Sequence, residues 1–139
     1  MKKQALEKFL NEKVNQIDSN TFESVDYVGE YLVLTEEEAN EKAKEYILDS
    51  LWAFNADFII EHCKNYDSMD SFQRDSAVKA LKEAQAKSCE TLNGLIFALI
   101  DDIDLFIENA IDYDGRGHFI SWYDAEENEQ DGFYIYRIN

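Results

Sequence analysis

At 139 residues the chain has the length of one domain, spanning 1–139, and can bury roughly two-thirds of its unfolded surface without a disulfide or metal staple. A hydrophobic content of 45% with 14% aromatic residues excludes an intrinsically disordered chain. The formal charge of −17, from 30 acids against 13 bases, exceeds the magnitude of about 2–8 that solubility asks of a small domain; it disfavours direct binding to DNA, RNA or anionic lipid and attracts cations and basic proteins.

Cys63 and Cys89 form no CxxC motif and no cysteine framework, so they read as reduced, inert thiols of a cytoplasmic protein. The longest apolar run, Leu95–Ile100, is far too short for a membrane span. Met1-Lys2-Lys3-Gln4 leads into a charged amphipathic stretch, not an apolar export signal.

In chain order, Leu6, Phe9, Leu10, Val14 and Ile17 share one helical face and predict a first helix over Ala5–Ile17. Ser19-Asn20-Thr21 breaks it. Val25, Tyr27 and Tyr31–Leu34 favour strands, and Gly29-Glu30 between them predicts a hairpin with a two-residue type II′ turn. Thr35 and Glu38 have the spacing of a capping box, and three acids in the first turn complement the helix dipole. That helix is expected to run past Leu51 and Phe54, with a break near Asn55-Ala56-Asp57. A polar loop follows at 65–71, then a helix over Arg74–Lys87.

The apolar residues Leu92, Leu95, Ile96, Leu99, Ile100, Ile103, Phe106, Ile107, Ala110 and Ile111 predict one long central helix over Glu90–Asp112. Glycines at 115 and 117 mark a tight bend. His118–Tyr123 and Phe133–Ile138 read as two strands around the acidic loop 124–132. The expected fold is α+β, with about five helices, two short antiparallel β-hairpins and the central helix packed against the C-terminal hairpin.

Motifs for chemistry are weak. Asp112-x-Asp114 with Gly117 has part of a calcium-loop spacing, but Arg116 and Tyr123 stand where oxygen ligands are needed. His62 and His118, the only histidines, belong to no two-histidine metal motif. Gly115-Arg116-Gly117 follows a helix and is not a dinucleotide fingerprint. No nucleophile elbow or cysteine-protease signature accompanies Cys63, Cys89 or Ser121. The expectation is a protein without catalytic residues, metal or cofactor.

The acids carry the sharper signal. Asp101, Asp104, Glu108 and Asp112 are spaced to form one row along the central helix. Glu126, Glu127 and Glu129 form a second cluster in the last loop. A rod of regularly spaced carboxylates resembles a phosphate array and suits the basic groove of a nucleic-acid-binding protein. The bland alternative is a solvated acidic surface.

The segments Tyr31-Leu-Val-Leu-Thr-Glu-Glu-Glu-Ala39, Tyr46-Ile-Leu-Asp-Ser-Leu-Trp-Ala-Phe-Asn55 and the tail Asp114-Gly-Arg-Gly-His-Phe119 with Tyr123-Asp124, Glu126-Glu127 and Phe133-Tyr-Ile-Tyr-Arg137 resemble a family of small acidic proteins encoded by bacteriophages. Ala125 stands where that pattern has glycine. The resemblance implies a phage or prophage accessory protein in the host cytoplasm. By analogy of class, the expected function is inhibition of a basic host nucleic-acid-binding defence protein, anti-CRISPR or anti-restriction, by DNA mimicry. Two alternatives stand beside it: an assembly protein of the phage particle making contacts through Trp122, Tyr134 and Tyr136, and a small hydrolase using His118 with Asp114 or Asp124.

Overall fold

The capping box anticipated at Thr35 is formed. Glu38 N–H donates to Thr35 Oγ1 at 3.2 Å, and Thr35 N–H donates to Glu38 Oε1 at 3.0 Å. The computed structural model, which describes residues 1–139, places helix α2 behind this cap at Glu36–Asp49. Lys2 Nζ reaches the same carboxylate at 2.7 Å. With the Lys2 hydrogen bond as the largest cause, the Glu38 carboxyl is held down at about 2 against an ordinary 4.5. A depressed folded-state value gives stability that is present above pH 4.5 and lost as pH falls towards 2. Glu38→Gln should therefore lower the melting temperature at pH 7 and erase the difference from wild type near pH 2; a difference that persists at pH 2 would mean the carboxylate is not the cause.

The chain divides into two compact units, one of residues Met1–Tyr46 with Ile111–Asn139 and one of Ile47–Ala110. The first unit holds a five-stranded antiparallel sheet in the order β1-β2-β3-β5-β4: β1 (Val14–Gln16), β2 (Thr21–Ser24), β3 (Glu30–Leu34), β4 (Asn128–Gln130) and β5 (Phe133–Arg137). The two expected hairpins are thus one sheet, joined where β3 pairs with β5, Val33 opposite Ile135. The α+β class is as the sequence indicated. Helix α1 (Lys2–Leu10) packs on one sheet face, where Leu6, Val14, Phe22, Val33 and Ile135 make the buried core. On the opposite face Leu34 and Tyr136 are buried.

Several boundaries differ from the sequence reading. The first helix stops at Leu10 because Asn11 adopts the left-handed conformation (φ 57°), which asparagine tolerates better than most residues. Val14 then enters β1, and Ile17 is exposed. The β2–β3 connection is the longer loop 25–29, not a turn at Gly29-Glu30. Ser24 Oγ accepts from Tyr27 N–H, and Ser24 N–H donates to Gly29 O, closing that loop.

At the C-terminus, His118–Tyr123 is not a strand. Gly115 (φ 82°) ends the preceding helix, and a short helix α7 (Arg116–Ile120) follows. Its strand partner role falls to β4, inside the stretch expected to be loop. The turn is Asp131-Gly132, with φ of 55° and 83°. Positive φ at both positions is the type I′ geometry that Asp-Gly favours in two-residue hairpins.

The second unit is mainly helical. After α2, a short 3₁₀ turn spans Leu51–Ala53, then α3 covers Ala56–Glu61 and α4 covers Ser71–Ser88. The α2 helix does not continue past Asp49, because Asn93 takes over its end: its amide donates to Asp49 O and accepts from Trp52 N–H. Asn55 caps α3 at the expected break, accepting from Asp57 N–H at 2.9 Å. Helix α4 starts before Arg74 through an Asp70–Gln73 capping box.

The expected central helix is interrupted. Its chain forms a 3₁₀ turn at Cys89–Leu92, then α5 (Asn93–Leu99), then α6 (Ile103–Asp114). Ile100 is extended (ψ 131°) and bridges to Cys63, while Asp101 N–H donates to His62 O at 2.9 Å. Asp102 then caps the new helix, accepting from Leu105 N–H at 3.1 Å. The helix laid on the sheet is α1, in place of a continuous central helix. No helix is long and apolar enough to cross a membrane.

Candidate protein-binding surface

The break at Ile100 divides the acidic row. Asp104, Glu108 and Asp112 remain on α6 at four-residue steps, which places neighbouring side chains about 5–6 Å apart on one face. All three are exposed, while Phe106, Ile107 and Ala110 form the buried side of the same helix. Asp101 leaves the row, because the helix it was assigned to does not exist at that position. It lies instead on the rim of a cleft of about 600 Å³ with Glu61, His62, Asp67, Asp102 and Leu105.

Like-charged neighbours four residues apart destabilise an isolated helix by about 0.2–0.5 kcal/mol per pair. Burial of Phe106, at 0% exposure, and of Ile107 and Ala110 offsets that repulsion. Helix α6 has no basic residue of its own. Its carboxylates therefore face solvent uncompensated on their own element.

The second acidic cluster is not uniform. Glu126 and Glu129 are exposed, and Glu129 lies on β4, an edge strand, where charge also discourages unwanted strand pairing. Glu127 is exposed as well, but its carboxylate is tied to this chain's own side chains. Its Oε1 accepts from Arg116 Nε at 2.8 Å and from the Tyr136 hydroxyl. Burial first, then the Glu127 hydrogen bond, pushes the Tyr136 phenol far above its ordinary value. Arg116 also donates to Asn40 Oδ1 at 3.0 Å and lies over the Tyr134 ring at 4.5 Å. Periodicity gave no sign of this network, although Arg116 is one of only two bases in the acid-rich stretch after Gly94.

The three aromatic candidates differ in exposure. Trp122 is 73% exposed, Tyr134 is half-buried, and Tyr136 is fully buried. Tyr136 is thus unable to serve as a surface contact, because its side chain is fully buried and its hydroxyl donates to Glu127.

The residues of the calcium-like spacing belong to two helices: Asp112 and Asp114 end α6, and Arg116 opens α7. No group of three or more His, Cys, Asp or Glu side chains is placed to hold a metal ion. His62 is half-buried among Phe58 and Phe106. Its Nδ1 lies 2.8 Å from Phe58 O and its Nε2 lies 2.9 Å from Asn109 Nδ2. A carbonyl only accepts, so Nδ1 carries the proton and Nε2 accepts from the Asn109 amide. Cys63 Sγ donates to Ile59 O, and burial raises its thiol pKa, opposite to what a nucleophile needs.

His118 is exposed on α7, with its edge against Phe119. Asp124, one of its suggested partners, is otherwise engaged. Asp124 Oδ1 lies 2.7 Å from buried Ser121 Oγ and accepts from Glu126 N–H at 3.0 Å. Ser121 Oγ also lies 2.6 Å from Arg137 O, so its single proton serves one acceptor at a time.

The same turn contains Ala125 at φ 60°, a left-handed conformation that costs a residue with a Cβ about 1–2 kcal/mol. Ala125→Gly should raise stability by up to about 1 kcal/mol, because glycine also loses more freedom on folding. Chemical denaturation would read this as a higher midpoint; a lower midpoint would show that the Ala125 methyl contributes more than the strain costs. Gly117 is the reverse case, since a Cβ there would lie 2.6 Å from Ala125 O.

No protein-family profile matches this chain, and comparison with curated proteins and with solved structures likewise finds no match.

Proposed function

We propose that this is an acidic, non-enzymatic binding protein of the phage accessory type, acting in the host cytoplasm against a basic nucleic-acid-binding defence protein. The observation that carries the reading is the row Asp104, Glu108 and Asp112, exposed on one face of α6 with no base on that helix. A formal charge of −17 adds long-range attraction to a basic groove. Glu126 and Glu129 are secondary contacts. Glu127 belongs to the Arg116–Tyr136 network and contributes to the fold first. The phage assignment rests on the sequence resemblance of the Tyr31–Ala39 segment and the tail. Mimicry requires that the protein and duplex DNA exclude each other from the same groove. Excess duplex DNA should therefore release the bound target; a ternary complex with DNA would contradict mimicry.

One observation favours a second reading. Trp122, at 73% exposure, is a large aromatic group of the kind that anchors protein interfaces. In an assembly protein, binding would depend on Trp122 and would resist salt.

A further inference from the structure

Helix α5 leaves most of its large apolar side chains exposed. Only Ile96 of α5 is buried, whereas Leu95 is 55% exposed, Phe97 51% and Leu99 42%. Leu95 and Leu99 are one turn apart and share a face with exposed Ala98; Phe97 flanks the buried side opposite them. Isolated exposed leucines are ordinary. A strip of them on one helix marks an interaction surface.

The surroundings of the strip say what would cover it. Glu90 precedes it, and Asp101, Asp102 and Asp104 follow it, all exposed. No basic residue occurs between Lys87 and Arg116 in the sequence, and Lys64, whose backbone N–H donates to Leu99 O at 3.0 Å, brings one base to that end of the strip against the three aspartates. A second copy of this chain would bring the same acids and a charge of −17 against themselves. An acidic partner is repelled in the same way, and a purely basic one leaves the leucines uncovered. We infer that the Leu95–Leu99 strip of α5, with its acidic surround, docks a basic amphipathic helix of a partner protein, apolar residues on the strip and Lys or Arg beside the acids. This inference does not depend on the α6 row acting as a DNA mimic.

The test uses the full-length protein and a synthetic helical peptide with leucines at three- and four-residue steps and lysines elsewhere. Two control peptides replace all lysines by glutamate or all leucines by serine. Wild type should bind the Lys–Leu peptide at least about tenfold more tightly than either control. Leu95→Ser with Leu99→Ser should weaken that binding about tenfold, while the variant keeps the wild-type circular dichroism spectrum. Amide NMR shifts on titration should centre on residues 95–104, a readout that needs no variant. Equal binding of the Lys–Ser peptide, or shifts confined to other helices, would overturn the inference. So would a concentration-dependent dimer that the serine variant abolishes, because the occupant would then be a second copy.

Discussion

Phe22→Ala should destabilise the protein by about 3–5 kcal/mol, the range for deleting a buried phenylalanine side chain. Phe22 is 1% exposed and lies in the cluster that binds α1 to the sheet, with Leu6, Val14, Val33 and Ile135. Its strand β2 is flanked by β1 and β3, and Phe22 stands opposite Tyr31. Removing the ring leaves a cavity between helix and sheet that neighbouring side chains fill only in part. Because domains of this size are stable by about 5–15 kcal/mol, the variant should lose much of its margin. Urea denaturation measures this directly: the midpoint should fall with little change in slope. A loss below about 1 kcal/mol would contradict the placement of Phe22 at the centre of that core.

The largest functional effect is expected from Asp104→Lys, Glu108→Lys and Asp112→Lys combined. Each exchange changes the charge by +2, so −17 becomes −11 and the field remains acidic overall. What is lost is the local row. Reversing three contacts to a basic groove should weaken binding by at least about 100-fold, equivalent to about 2.7 kcal/mol. The fold should survive. All three side chains are exposed on the face away from Phe106. Asp104 lies in the first turn, where its loss costs about 0.3–1 kcal/mol, and a lysine at 112 near the other end of the helix returns a similar amount. Stability should therefore remain within about 1 kcal/mol of wild type. A folded variant that binds as tightly as wild type would remove the row from the interface.

What the sequence showed depended on how local the deciding interactions are. The Thr35–Glu38 capping box was readable because both partners lie within one turn. The Asn55 break was readable for the same reason. The interruption of the central helix is not legible in the sequence, because apolar periodicity runs unbroken through Ile100 while the break is set by residues distant in sequence. Cys63 bridges Ile100, and His62 accepts from Asp101. Asp102 did carry a local clue, since aspartate before an apolar run is a favoured N-cap. The Asp131-Gly132 turn is also a local signal, masked by the acidic residues that surround it. By contrast, Tyr136 looked like a surface residue because alternation places an aromatic group on each face of β5. Only the burial of Ile135 on one face and of Tyr136 on the other shows that both faces are covered there. The acidic row was three-quarters readable: the spacing of Asp104, Glu108 and Asp112 holds on α6, and Asp101 falls beyond the break.

The central claim is that α6 engages a basic nucleic-acid-binding protein by charge. The most direct measurement is parallel capture from a bacterial lysate on immobilised wild type and on the triple lysine variant, eluted with a salt gradient. The account predicts nucleic-acid-binding proteins on wild type alone, released at moderate salt, where exposed charges are screened over about 5–8 Å. Equal recovery of the same proteins on the variant, or retention of proteins that resist salt on both, would contradict it.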